Sequence, residues 1–387
     1  MKKIRLTASA DSRLAVFAGA MALLLVGGVA ACAPPESKDN GEKTSTGVSA
    51  SEAKSAADFG GAHLSGLIDA AKKEGELNVI ALPPDWANYG AIIKAFGDKY
   101  GIKVNSAQPD AASQDEINAA TQQKGKSTAP DVFDLGQSVA LANTASFAPY
   151  EVAKFGEISD AMKAPDGAWV NDYGGYMSIG YDSAKVPEIK GVNDLLGPEF
   201  KGKVALNGDP TQAGAAFSGV MMVAVSQGGS PDDIAPGVAF FQKLKESGNF
   251  LPVDPTPATI ESGQTPVVVD WDYLNVAETK KLPSWKVFIP PNAAVAGYYY
   301  QAINKDAPHP AAARLWQEFL FGDEGQNLFL QGSARPVRAE TMVTNGTIDL
   351  AAYRLLPPVD GAATYVSEQQ NDAAKKYLEA NWAKAVG

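Results

Sequence analysis

Apolar positions along the chain recur in two alternating rhythms, one helical and one of short continuous runs. Leu64, Leu67, Ile68 and Ala71 share a helical face that ends at Gly75, and Leu77 to Leu82 follows as a strand. Pro83 to Gly90 reads as the turn after it, carrying Asp85, Trp86 and Tyr89. Ile92, Ile93, Phe96 and Tyr100 form a second helical stripe stopped by Gly101, and Ile102 to Asn105 is the next strand. Ser113 and Glu116 make a capping-box pattern ahead of a helix containing Ile117. Asp131 to Leu135 is a third strand, followed by Gly136 and Gln137. This βαβαβ order implies a parallel sheet with right-handed crossovers. The loops holding Asp85, Trp86 and Tyr89, and Asp134 with Gln137, then share one sheet edge. For Trp86 and Tyr89 the plainer alternative is a hydrophobic staple at a helix start.

Asp172 to Tyr181 reads as a strand leading out of this unit, with Gly174 and Gly175 allowing close backbone approach. Tyr173 and Tyr176 are candidates for a cavity wall there, core packing being the alternative. A second α/β unit follows. Lys203 to Asn207 is a strand, and Asp209-Pro210 is a helix start with Asp as N-cap and Pro at N1. That helix runs through Met221, Met222 and Val225 to Gly228, and its N-terminus offers free N–H groups to an acceptor. Phe240, Phe241 and Leu244 mark another helix. Val267, Val268 and Val269 are a run too short for a helix, the signature of a strand buried on both faces. It stops at Asp270, Trp271 and Asp272, where a helix begins. Ligands of open α/β sheets sit outside the carboxyl ends of strands, so an indole between carboxylates is a candidate contact. The alternative is that Asp272 caps the helix and Trp271 packs beneath it.

Trp285 to Pro290 and Val295 to Asn304 return towards the first unit. In that return Tyr298 and Tyr300 take one strand face and Tyr299 the other. His309 lies between two prolines at a helix start and reads as surface. Ala312, Leu315, Trp316 and Phe319 continue that helix as core, and Thr364 to Trp382 is a terminal helix packing Tyr377 and Trp382 on the body. There is no GxGxxG or P-loop pattern; Gln227 to Ser230 is a helix stop.

The first residues are of another kind. Lys2, Lys3, Arg5 and Arg13 precede the apolar stretch Leu14 to Val29, which ends in Val29-Ala30-Ala31-Cys32. This resembles a bacterial lipobox, so residues 1–31 are expected to be a signal peptide and Cys32 to carry lipid after cleavage. Residues 32–60 are poor in large apolar side chains and read as a flexible tether, with His63 solvated just beyond. The chain has 387 residues, a net charge of −11 and a pI near 4.8. It shows no basic stripe for nucleic acid. One cysteine excludes an internal disulfide and a multi-cysteine metal site, and neither histidine stands in a nucleophile-elbow setting.

Taken together, Asp85-Trp86-Ala87-Asn88-Tyr89, Gly208-Asp209, Val269 to Tyr273 and Ala296-Gly297-Tyr298 resemble the spermidine/putrescine-type solute-binding proteins of bacterial ABC importers. Ile303-Asn304-Lys305 with His309-Pro310, Gly325-Gln326 and Ala334 to Arg338 fit the same pattern, which covers about Leu64 to Glu340. Tyr298-Tyr299-Tyr300 and Asp270 depart from it. The resemblance implies an α/β, two-lobed fold, each lobe a mostly parallel sheet flanked by helices, with a hinge of crossing strands. Residues 61–177 and 298–387 would form one lobe and 178–297 the other. It implies a polyamine cation held by carboxylates and aromatic walls, through Trp86, Tyr89, Trp271, Asp272 and Tyr298 and also Asp85, Tyr173 and Asp209. Permease and ATPase subunits would be the partners, on the outer face of the membrane, with no catalysis and no cofactor or resident metal. Three other readings stay open: ferric iron on Tyr298 to Tyr300, a phosphonate at the Asp209 helix, and a tethered hydrolase using Asp270 and Asp272. A structural surface adhesin is the fourth.

Overall fold

The computed structural model describes residues 48–60 and 64–387. Signal peptide, Cys32, the first part of the expected tether and His63 lie outside the described residues. From Val48 onward the expected tether is packed. Ala50, Ala53, Ala56 and Phe59 are buried, Ser55 bridges Glu151, and Arg314 donates Nε to the Ala53 carbonyl and Nη2 to the Ser51 carbonyl. Alanines need little cavity, and a buried arginine supplies the donors their backbone requires, so low apolar content did not prevent docking.

The body begins with α1 (Ser65–Glu74), β1 (Glu76–Ile80), α2 (Tyr89–Tyr100), β2 (Lys103–Ala107), α3 (Ser113–Gln122), β3 (Val132–Leu135) and α4 (Gln137–Ala142). A short β4 (Phe147–Ala148) precedes the long β5 (Val170–Asp182). The second unit comprises β6 (Val204–Leu206), α5 (Gly214–Ser226), α6 (Ala235–Glu246), α7 (Pro257–Glu261), β7 (Val267–Trp271), α8 (Asp272–Thr279) and β8 (Trp285–Phe288). Strand β9 (Val295–Asn304) returns to the first unit. It is followed by α9 (Pro310–Phe321), α10 (Asp323–Gln331), β10 (Arg335–Pro336), α11 (Ala339–Asn345), α12 (Leu350–Tyr353), β11 (Thr364–Tyr365) and α13 (Glu368–Val386).

The sheet is mixed. Parallel order holds between β1 and β2 and between β6 and β7, whereas β3, β4 and β5 all run antiparallel to β9. Strand β9 continues in the direction of β8, both antiparallel to β5, with β8 along Ile179 to Asp182 and β9 along Val170 to Tyr176. Strand β5 is shared: Val170 to Tyr176 pairs with β9, and Met177 to Tyr181 pairs with β7. Strand β7 lies between β6 and β5 and is buried throughout, as its three valines require.

Several side chains expected to act locally act at a distance. Ser113 and Glu116 do not close a capping box: Ser113 Oγ accepts from the Gly136 N–H and Glu116 Oε2 from the Asp134 N–H, fixing the end of β3. Helix α5 starts at Gly214 rather than Asp209, because Asp209 Oδ1 is taken by the Thr211 N–H and hydroxyl in a tight turn. His309 is half-buried, its Nδ1 2.9 Å from Asp131 Oδ2, because Asp131 is wholly buried and needs partners. On α13, Trp382 packs edge-on against Phe241 and Phe250, while Tyr377 is exposed. No described helix is long and apolar enough to cross a membrane.

Candidate functional site

A cleft of about 1750 Å³ opens where the ends of β3, β7 and β9 meet the first turns of α3 and α5. Trp86, Trp271 and Tyr299 line it on the aromatic side, Asp134 and Glu116 on the acidic side, and Tyr176, Tyr298 and Arg335 beside β10. The structure therefore brings both tryptophans of the first and second units to one crevice.

The aromatic wall is a continuous lattice. Trp86 meets Tyr273 and Tyr299 edge-on, each at 5.8 Å between centroids. Tyr299 stacks on Tyr173 at 5.2 Å, and Trp271 stacks on Tyr273 at 6.3 Å. Gly297 makes room for Trp271: a Cβ there would collide with the outer edge of the indole. Polar bonds lock the wall to the acid. Trp86 Nε1 donates to Tyr173 Oη at 2.8 Å, and Tyr173 Oη donates to Asp134 Oδ2 at 3.1 Å. Asp134 Oδ1, buried at the cleft, has no hydrogen-bond partner, and neither has Trp271 Nε1.

Burial raises the Asp134 pKa to about 7, opposed by the polar groups of Tyr89, Tyr173 and Gln301 near it, of which Tyr173 donates a hydrogen bond to it. Burial likewise raises Glu116 and Asp172, and the Asp134 charge raises both further. Three buried carboxyls, one with an oxygen that lacks a hydrogen-bond partner, make this end of the cleft receptive to positive charge. The opposite arrangement holds at Asp272. Its Oδ2 accepts from Arg335 Nε at 3.2 Å and Nη2 at 3.1 Å, and its Oδ1 from the Tyr176 N–H at 3.0 Å. Burial raises the Asp272 pKa and the Arg335 guanidinium holds it down against that. Arg335 also lies over the Tyr176 ring, 4.8 Å from its centroid.

Of the side chains expected at a ligand, Trp86, Trp271 and Tyr298 line the cleft. Tyr89 and Tyr173 stand behind its wall, fully buried, with Tyr89 Oη accepting from Gln301 Nε2 at 3.0 Å. Asp272 is buried and occupied by Arg335. Asp85 and Asp209 are exposed and outside the lining. Asp270 is closed off by Asn207 Nδ2 and the Trp271 N–H, so the two carboxylates of the hydrolase reading do not face each other across open space. Tyr176 was a candidate for the cavity wall and Asp134 was placed on the shared sheet edge, whereas Glu116 and Arg335 were not expected at a ligand. The signal for Asp134 was its place at a strand end, and for Tyr176 its place beside Gly174 and Gly175 on a strand. Among the described residues, no group of three or more His, Cys, Asp or Glu side chains could hold a metal ion.

The sequence of residues 131–356, more than half of the chain, matches the family of bacterial extracellular solute-binding proteins. This chain belongs to that family. Its fold is the two-lobed α/β fold of periplasmic binding proteins, shared with solved structures at low identity. An ABC transporter substrate-binding protein from Bradyrhizobium japonicum superposes with a TM-score of 0.61 at 16% identity, over 81% of this chain and 100% of that one. A ferric binding protein from Campylobacter jejuni gives 0.59 at 18% identity, over 80% and 99%. A provisionally named spermidine/putrescine ABC transporter from Listeria monocytogenes gives 0.60 at 12% identity, over 80% and 99%. Comparison with curated proteins found no match. For a solute-binding protein, the cleft at the strand ends is the natural place for the solute.

Proposed function

We propose that this protein is the capture subunit of a bacterial ABC importer and that its solute carries a cationic amino end. The observation behind the reading is the unpartnered Asp134 Oδ1, buried in a cleft walled by Trp86, Trp271 and Tyr299. An ammonium placed there supplies the missing hydrogen bond and a countercharge to the acidic cluster. Each indole or phenol face adds about 0.5–2 kcal/mol of cation–π attraction once the cleft is dry. The family and the likeness to ABC transporter proteins support the importer role.

Polyamines are one member of this solute class. A diamine needs a second carboxylate, and Asp272 could serve only by releasing Arg335. Ferric iron, the ligand in the name of the Campylobacter jejuni relative, would draw on Tyr298 and Tyr299. Burial pushes both phenols above their ordinary range, which opposes the tyrosinates that iron prefers. In the same reading, residues 61–177 and 298–387 form one lobe and 178–297 the other, closing over the solute. Cleavage before Cys32 leaves a lipid-anchored protein outside the cytoplasmic membrane, where the permease receives the closed form.

Calorimetry of the full chain with mono-, di- and polyamines tests the solute class. Amine binding is expected, weakened about tenfold to a hundredfold by Asp134→Asn, the size of one lost hydrogen bond to a charged group. Amine affinity that is unchanged by Asp134→Asn, or no amine bound at all, removes the reading.

A further inference from the structure

The C-terminal helix reaches both sides of the cleft, and it holds the two sides by different means. Asn371, Ala374, Leu378 and Trp382 form the buried stripe of α13 at helical spacing. Trp382 packs edge-on against Phe241 of α6 and against Phe250, with centroids 5.3 and 6.4 Å away. Near the start of the helix, Gln370 Nε2 donates to Asp232 Oδ1 at 2.9 Å, in the turn ahead of α6. Both ends of α13 are thus fastened to the second unit. The chain arrives from the first: Leu356, just past α12, packs on the buried cluster of Leu330, Met342 and Ile348. Between these moorings β11 lies along the start of β9.

Two hydrogen bonds tie this C-terminal segment to α4 of the first unit. Lys375 Nζ donates to Ser138 Oγ at 2.7 Å, and Gln137 Nε2 donates to the Val366 carbonyl at 3.0 Å. All four residues line the cleft. The two seams differ in what parting them costs. Separating α13 from α6 exposes an indole and its apolar neighbours to water, whereas the polar groups at α4 exchange one partner for a water molecule. Resting on the lobe closure proposed above, and independent of which solute is bound, we infer that α13 travels with the second lobe. The Lys375–Ser138 and Gln137–Val366 bonds are then a latch across the cleft, made when it is shut and parted when it opens. This takes α13 out of the lobe in which its place in the sequence puts it. Such a latch raises the closed fraction of the empty protein, and with it the apparent affinity of any solute that the closed form holds.

Spin labels on the two rims read the motion directly. Gln114→Cys on α3 and Gln212→Cys ahead of α5 are both exposed at the cleft, and Cys32→Ser removes the natural thiol from the full chain. In the solute-free protein, Lys375→Met is expected to raise the ratio of long to short label distances about tenfold, the size of one lost hydrogen bond to a charged group. Ser138→Ala removes the same bond from the α4 side and should shift the ratio equally. Asp232→Ala breaks a bond of α13 to the second unit instead and should leave the ratio where it was. Two label distances whose ratio ignores either Lys375→Met or Ser138→Ala overturn the latch and leave lobe closure standing. A rise with Asp232→Ala as large as with Lys375→Met overturns it too, since any loosening of α13 would then open the cleft. One fixed distance in the parent and in every variant removes the latch together with the closure it rests on.

Discussion

At the scale of single residues, the cleft turns on which carboxylate is already spoken for. Asp272 is wholly buried, and among the described residues Arg335 is its only countercharge within ion-pair distance. Removing one partner of such a pair costs about 3–5 kcal/mol, whereas removing both together costs far less. Arg335→Met is therefore expected to shift the urea midpoint sharply down, and Arg335→Met with Asp272→Asn to recover most of the loss. A single variant as stable as the parent would show that the pair is not structural and would return Asp272 to the ligand. Asp134 behaves in the opposite way. Burial holds its pKa up, so part of the ligand-free population carries a proton near neutrality. A cationic guest favours the charged form. Binding should therefore release a proton, and affinity should rise with pH through neutrality. Calorimetry in buffers of different ionisation enthalpy measures this directly; proton uptake on binding would contradict it.

At the scale of elements, helix ends show what a sequence can and cannot disclose. Pro310 at the first position of α9 and the Ser367–Gln370 capping box of α13 are local patterns. The real cap of α9 is Glu74, the last residue of α1. Its two oxygens accept from the Ala311 N–H at 3.0 Å and the Ala312 N–H at 2.7 Å, across 237 and 238 residues of sequence. No spacing rule reaches that far. Glu74→Ala should cost about 1–2 kcal/mol, the usual worth of a cap, and should show as faster hydrogen exchange in the first turn of α9. Unchanged exchange there would mean that α9 is held by its packing alone. The site follows the same logic. Trp86, Trp271 and Tyr298 were legible because large aromatics at strand ends have few structural reasons to be there. The occupation of Asp272 by Arg335, and of Asp209 by Thr211, was not. The first needs the fold to bring together residues 63 apart in sequence, and the second depends on a turn that competes with a helix for one aspartate. The antiparallel run of β9 was hidden for a related reason, since apolar content marks a strand and not the direction in which it passes its neighbours.

At the scale of the whole molecule, buried acids give folding a distinctive pH dependence. Glu74, Asp270 and Glu318 are each pushed up to about 7, with burial as the first cause, and Asp134 is raised as well. Unfolded, these groups titrate near pH 4. A carboxyl whose folded pKa lies above its unfolded one binds its proton more tightly in the native state. Its contribution to stability is complete below the unfolded value and is lost as pH rises through the folded one. The ligand-free protein is therefore expected to lose stability steadily from about pH 4.5 to just above 7, by roughly 1.4 kcal/mol per shifted pKa unit at each site. His309 adds to the same trend, because Asp131 raises its pKa and that contribution also fades with rising pH. Urea unfolding at a series of pH values measures the slope. Asp270→Asn keeps an acceptor for Asn207 or the Trp271 N–H but removes the titration, so it should flatten part of the curve. A cationic solute should flatten the part due to Asp134, since the bound ammonium favours the carboxylate that high pH produces. Stability that rises between pH 5 and 7 in the ligand-free protein would mean that these carboxyls are charged in the folded state. The acidic end of the cleft would then be a solvated surface rather than a dry receptor.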